Sequence, residues 1–399
     1  MSELQIDADR EPRPAQARIR LDYLDGLRAL CALAVLAAHA LDGGFFDQTT
    51  PRPFLLEWAA PLAPYGRYAV TFFIVLSGYC LMLPVARTPE GTLSGGFRGY
   101  IFRRARRMLP PYYAALSFAL LALWATRQVF PSPITLREYQ QAIEPGALLS
   151  HLFMAHNLRA DWAFKIDAPM WSVATEWDIY FLFPFLLLPL WRRIGIMLTI
   201  SLAYVLSMMP HFLLNKWLDP VAPWYLALFA MGMAGALISY SERERYRSLR
   251  QRLPWGALTA LGTALLILVF ALKPAHLPSY PLYLTEPVFG LVAICLLIYC
   301  TRYVMGEAGD RRPLVLKILE FGPLVAIGFY SYSLYLMHAP LLHIGLAALN
   351  ATGRTPMQKW LLLWTIAVPM TLLFSYLFHR VFERPFMAHY PRKRTQTAP

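Results

Sequence analysis

Ten apolar runs, near 24–41, 69–86, 111–127, 174–191, 194–213, 222–240, 254–272, 285–303, 322–349 and 360–382, follow one another along almost the whole chain. A bilayer core asks for roughly 20 apolar residues per helical crossing, and inside lipid each segment must satisfy its own backbone donors and acceptors. The pattern predicts an all-α, polytopic integral membrane protein with about ten transmembrane helices. Composition agrees. Of 399 residues 57% are hydrophobic and only 15% charged, where soluble domains carry about 25% charge. Loops are short except 128–173, where LLSHLFMAHNL suggests interfacial or re-entrant helices. The sequence contains no internal repeat of the kind many transporters carry.

The net charge of +13 raises nucleic acid as a partner, but its distribution argues against that. With the N-terminus inside, 27 of the 37 Lys and Arg fall on the cytoplasmic side and 10 on the other. The positive-inside rule thus accounts for most of the basic balance and predicts both termini in the cytoplasm. The expected layout is a polar cytoplasmic tail over 1–20, a membrane-embedded domain over 21–386 and a basic cytoplasmic tail over 387–399. Arg18, Arg20 and the later Ala38-His39-Ala40 imitate a cleavable signal peptide. Arg28 interrupts its apolar stretch, so the segment reads as a retained span. All four cysteines fall in spans, and Cys295 and Cys300 face different sides of one helix. Neither a disulfide framework nor a metal site is expected.

Arg28 and His39 stand in LDGLRALCALAVLAAHA. At ~100° per residue their spacing places both on one helix face, ~16 Å apart. An ionisable residue inside a span costs roughly 2.5–3.5 kcal/mol on insertion scales, so two on one face mark a candidate functional site. Ala32 and Val35 are expected on the same face, lining a path between them. Asp25, three residues before Arg28, is placed to pair with it. The alternative is a snorkelling arginine and a histidine bonded to a neighbouring helix.

Arg103, Arg104, Arg106 and Arg107 precede Leu109-Pro110-Pro111, where the prolines suit the first turn of a span. Arg104 and Arg107 share one side of a helix, and guanidinium forks suit phosphates. Topological anchoring and binding of anionic lipid headgroups are the alternatives. In APMWSVATEWDIYFLF, Trp171 and Trp177 suit an interfacial belt and Ser172 a helix N-cap. Glu176 falls near the depth of His39, before a strongly apolar run, and needs a partner. Ser77-Gly78 suits close helix approach. Glu383 and Arg384 are expected to pair with each other, while no partner for Glu286 is legible. His151, His156 and His343 read as structural.

Taken together, these motifs resemble acyltransferase family three, the bacterial integral-membrane acyltransferases of surface glycans and related acceptors. The likeness runs from Leu21-Asp22 to Pro385. It includes Asp25-Gly26-Leu27-Arg28 with the gap to His39, Phe73 to Tyr79, the arginines before Leu109-Pro110, Trp171-Ser172 with Glu176, Ser331 to Pro340, and Glu383-Arg384-Pro385. The resemblance implies about ten helices in the bacterial inner membrane, acyl-CoA on the cytoplasmic side, and transfer at the extracytoplasmic or buried end of a passage. It implies His39 as the catalytic histidine, Glu176 as an active-site residue, and Arg28, Arg104 and Arg107 as donor ligands. Asp25, Ser77, Trp171, Ser172, Tyr335 and His338 would support the site. Two positions depart from the family. Trp177 stands where a second glutamate is common, and Met337 and Ala339 flank His338 where aromatics are common. Some relatives carry a C-terminal esterase-like domain, which this chain is expected to lack.

The expected reaction moves a short acyl group, acetyl in the first instance, from acyl-CoA to a carbohydrate hydroxyl, with His39 as base and Glu176 orienting it. Acetyl-CoA is then a co-substrate, and no bound cofactor or metal is called for. The bilayer and a carbohydrate or lipid-linked glycan are the expected partners. The rival reading is a transporter or flippase for an anionic lipid-linked glycan, using the same charges as binding site and proton relay.

Overall fold

The computed structural model describes residues 21–41, 43–46, 52–88, 91–272, 281–309 and 311–387. The predicted tails lie outside the described residues, apart from Met387. Among the described residues there is no strand, and nine helices are long and apolar enough to cross a membrane. A tenth crossing results if Glu244–Arg252 and Trp255–Ala271, which meet at 66°, form one broken span. The chain is an all-α, multi-pass membrane protein.

Seven helices build the site: α1 (Asp22–Ala40), α2 (Gly66–Ala86), α3 (Gly96–Val129), α4 (Met170–Leu182), α5 (Tyr225–Tyr240), α6 (Leu282–Val304) and α7 (Ser331–Asn350). Helices in lipid gain little from apolar burial against each other and associate by close packing of small residues. The α2–α5 contact shows this directly. A Cβ on Gly78 would lie 2.1 Å from the Phe229 carbonyl oxygen, and one on Gly232 would lie 2.1 Å from that of Val75. Only glycine lets these two backbones touch. At the other side of α1, a Cβ on Gly328 would meet the Asp25 carbonyl oxygen at 2.0 Å. The helix Gly322–Phe329 is therefore pressed against the turn that carries Asp25 and Arg28.

Three boundaries differ from the sequence expectation. Pro110 and Pro111 do not open a span, because α3 starts at Gly96 and runs 34 residues through both. An interior proline costs about 3 kcal/mol. Here Tyr100, Met108, Pro111 and Tyr112 are buried against neighbouring helices, and spans tolerate proline where neighbours and local adjustment serve the freed backbone groups. The run 322–349 is two helices, Gly322–Phe329 and α7, divided at Tyr330. Ser172 is not an N-cap: α4 begins at Met170 after Pro169, so Ser172 already lies in the first turn and donates to the Pro169 carbonyl oxygen.

The long loop folds into short helices, Pro133–Ala142, Pro145–Leu152 and Ala160–Ala163. His151 and His156 stack within it, rings 3.9 Å apart and nearly parallel, and both are fully buried. Nδ1 of His151 donates to the Ala147 carbonyl oxygen. Burial holds the His151 imidazolium well below its usual range, at about 4, and that of His156 at about 3. The fold thus binds these rings neutral, while the unfolded segment takes up protons near pH 6.5. Their contribution is complete above pH 6.5 and is lost as pH falls toward 4 and 3. Acidification from pH 7 to 4.5 should raise amide exchange in 145–158 at least tenfold after correction for intrinsic rates, and His151→Phe/His156→Phe should flatten this response.

Candidate active site

Two adjoining cavities lie between the helices of the bundle. The first, about 140 Å³, is lined by Arg28, Ser77, Arg104, Arg107, Glu176 and Tyr180 among others. The second, about 310 Å³, is lined by Val35, His39, Arg67 and Trp171. Val70 of α2 and Tyr335 of α7 line both and form the wall between them.

The first cavity is strongly cationic. Helical periodicity turns Arg104 and Arg107 inward, while Arg103 and Arg106 are exposed and Arg103 donates to the Ser94 carbonyl oxygen. Arg104 and Arg107 make no ion pair among the described residues, and the Arg104 Nε is buried without a hydrogen-bond partner. Arg28 is held from two sides, by Asp25 at 3.0 Å and by the Cys80 sulfur at 3.2 Å. Three guanidinium groups around one partly enclosed space repel each other unless an anion joins them, and forked donors match phosphate oxygens. Glu176 is the counter-charge in the wall, accepting hydrogen bonds from Ser77 and from the Tyr180 hydroxyl at 2.6 Å.

This placement overturns the expected partnership of Glu176 with His39. The glutamate faces the arginine cavity and no hydrogen bond joins it to the histidine, because α4 turns that side chain toward α2 at Ser77. A backbone group does the orienting instead: His39 Nδ1 lies 2.8 Å from the Val35 carbonyl oxygen, one turn back. A carbonyl only accepts, so in the neutral ring Nδ1 carries the proton and Nε2 keeps its lone pair. The exposed His39 ring stands in the wall of the second cavity. His338 lies beside it, ring centroids 5.0 Å apart, and its own Nδ1 bonds the Tyr335 carbonyl oxygen at 2.7 Å. Tyr335 donates to the Pro169 carbonyl oxygen and meets Ser172 at 2.6 Å, which ties the dividing wall to α4.

Other expected contacts also change. Val35 lines the His39 cavity, but Ala32 sits in a separate apolar cluster with Leu36 and Leu334 and lines neither space. Glu383 does not pair with Arg384. A π-helical turn over His379–Glu383 brings its buried carboxylate to His379 at 2.8 Å and to the Ser333 hydroxyl. Glu286 has a partner after all in Arg67, at 3.0 Å. Sequence reasoning passed over Arg67, although a basic residue opening the apolar run after Gly66, on the side poor in basic residues, was the signal for it.

The model of an acyltransferase domain matches residues 21–380. The chain belongs to acyltransferase family three. Within that family it is 26% identical to the peptidoglycan O-acetyltransferase OatA of Listeria monocytogenes over 82% of this chain and 50% of that protein. A Staphylococcus aureus (strain COL) protein with a provisional O-acetyltransferase name is 23% identical over 91% of this chain and 56% of its own length. A Bacillus subtilis protein with a provisional peptidoglycan O-acetyltransferase name, YrhL, is 26% identical over 80% and 48%. The chain spans about half the length of these relatives. No solved structure matches it.

The tautomer assignment is directly measurable. Nitrogen-15 spectra of selectively labelled protein at neutral pH should show the His39 ring protonated at Nδ1. Glu176→Gln should leave that signal in place, whereas a shift of the proton to Nε2 would restore the glutamate as the orienting group.

Proposed function

We propose that this family-three chain is a bacterial inner-membrane O-acyltransferase that moves a short acyl group, acetyl in the simplest case, from acyl-CoA to a hydroxyl of a carbohydrate or glycan. The observation that carries this reading is the pair of cavities: a cationic one and a histidine-bearing one, sharing only the Val70–Tyr335 wall. Both termini lie in the cytoplasm on the positive-inside argument, so the arginine cavity faces the compartment that holds acyl-CoA. The names of the relatives point to peptidoglycan as the first acceptor to test.

In this scheme Arg28, Arg104 and Arg107 take the phosphates of the donor and the acyl arm crosses the wall. A sugar hydroxyl is a poor nucleophile until a base takes its proton during attack. A positioned histidine supplies a factor of about 10²–10⁴ in such steps, and His39 Nε2 is free to do so. Glu176, held by Ser77 and Tyr180, balances the arginines rather than acting on His39. His338 packs beside the His39 ring, with its own Nδ1 held by the Tyr335 carbonyl oxygen.

The test is acetyl-CoA consumption by the full chain in proteoliposomes, with de-O-acetylated peptidoglycan strands as acceptor. Wild type should release CoA and form acetyl ester only with acceptor present. His39→Ala should lose at least 10²-fold in kcat with insertion unchanged. Arg104→Lys/Arg107→Lys keeps the charges but loses the forks, and should raise KM for acetyl-CoA about tenfold with kcat nearly unchanged. Movement of a glycan lipid without thioester consumption would replace this reading with the flippase.

A further inference from the structure

Arg67 is held in a way that its surroundings alone do not require. It sits in the first turn of α2, and its Nε donates to Oε1 of Glu286 on α6 at 3.0 Å. That carboxylate is fully buried and also accepts from the Trp224 indole and from the Tyr225 hydroxyl at 3.1 Å. The guanidinium carbon lies 4.7 Å over the Trp171 ring. One edge of the guanidinium is thus taken by Glu286 and one face by Trp171. The terminal nitrogens make no hydrogen bond among the described residues. With 28% of the side chain still accessible, Arg67 lines the same cavity as His39.

A buried ion pair is weak evidence of stabilisation, since an apolar pair of similar volume often serves as well. What the pair does provide is a cation with fixed orientation and unused donors, inside a largely apolar space beside a histidine base. That is the arrangement that stabilises charge developing on an oxygen, because the donors need no reorganisation when the charge appears. Glu286 neutralises the overall charge and leaves the donor edge free.

We infer that Arg67 is a catalytic residue whose terminal N–H groups bind the acyl oxygen as it becomes negative, with Glu286 and Trp171 as its positioning residues. The inference rests on the acyl-transfer reading above. The acceptor oxygen bonds to the thioester carbonyl carbon as His39 Nε2 takes its proton, and the carbonyl π pair moves onto oxygen, where Arg67 donates. The carbonyl then re-forms, the C–S bond breaks with its pair on sulfur, and the thiolate takes the proton back from His39. Ester and CoA thiol leave, and both side chains return to their starting states.

Removing Arg67 alone would strand the Glu286 charge in the bundle, so two variants carry the test. Arg67→Lys keeps a cation for Glu286 without the planar second edge, and Arg67→Gln/Glu286→Gln removes both charges together. Each is assayed as full chain in proteoliposomes with acetyl-CoA and peptidoglycan strands, alongside its thermal midpoint. Loss of a single oxyanion donor typically costs 10²–10³-fold in kcat. We expect a loss of that order in both variants, with KM for acetyl-CoA within about threefold and a midpoint near wild type. If the double variant folds and keeps kcat within about threefold, Arg67 is structural and the inference is wrong. A fall in kcat that only tracks lost folded protein in both variants, or a change confined to KM, overturns it equally. Wild type that consumes no thioester contradicts the acyl-transfer reading itself and is seen before any variant is made.

Discussion

An ion inside an apolar bundle is costly unless a fixed partner holds it, and this requirement places three of the charged side chains at the centre of the molecule. Arg28 is set by Asp25 and Cys80, Arg67 by Glu286 and Trp171, and Glu176 by Ser77 and Tyr180. In each case the partner comes from a helix held tightly by its neighbours. Asp25 lies where Gly328 lets a second helix meet its backbone, and Ser77 immediately precedes Gly78, which lets α5 do the same. Close backbone approach at these points is therefore what aims the charged side chains. A methyl group at either glycine would push apart the helices on which they depend.

The same packing separates two environments a short distance apart. On one side of Val70 and Tyr335 three guanidinium groups line one cavity, and on the other stands an imidazole whose Nδ1 is held by a backbone carbonyl. In the proposed reaction a phosphate-bearing donor takes the first setting and a hydroxyl acceptor the second. Under that proposal only a narrow acyl arm crosses the wall of Val70 and Tyr335, the two residues that line both cavities. The tyrosine is tied to α4 through Ser172 and Pro169, so the wall is part of the bundle rather than a loose side chain.

What was legible in the sequence was local. The Asp25–Arg28 pair and the shared face of Arg104 and Arg107 follow from helical periodicity within one segment, and both are present. The all-α, multi-pass character follows from hydropathy, with nine crossings among the described residues, or ten if the bent pair is one span, against about ten expected. Contacts between helices were legible only as needs. Glu176 required company, but whether that was His39 or Ser77 depended on the rotation of α4, which periodicity does not set. Arg67 and Glu286 are 219 residues apart, and no pattern joins them. The backbone carbonyl that orients His39 was hidden for a different reason: every helix offers such a carbonyl, and only the ring rotamer decides whether it is used.

The central claim is that one substrate spans both cavities. The most direct measurement is a cryo-electron microscopy structure of the full chain in lipid with an acetyl-CoA analogue whose thioester sulfur is replaced by a methylene. The account predicts the phosphates among Arg28, Arg104 and Arg107 and the acyl carbonyl beyond Val70 and Tyr335, beside His39. A nucleotide bound in the His39 cavity, or an acyl group that stops on the arginine side of a closed wall, would contradict it.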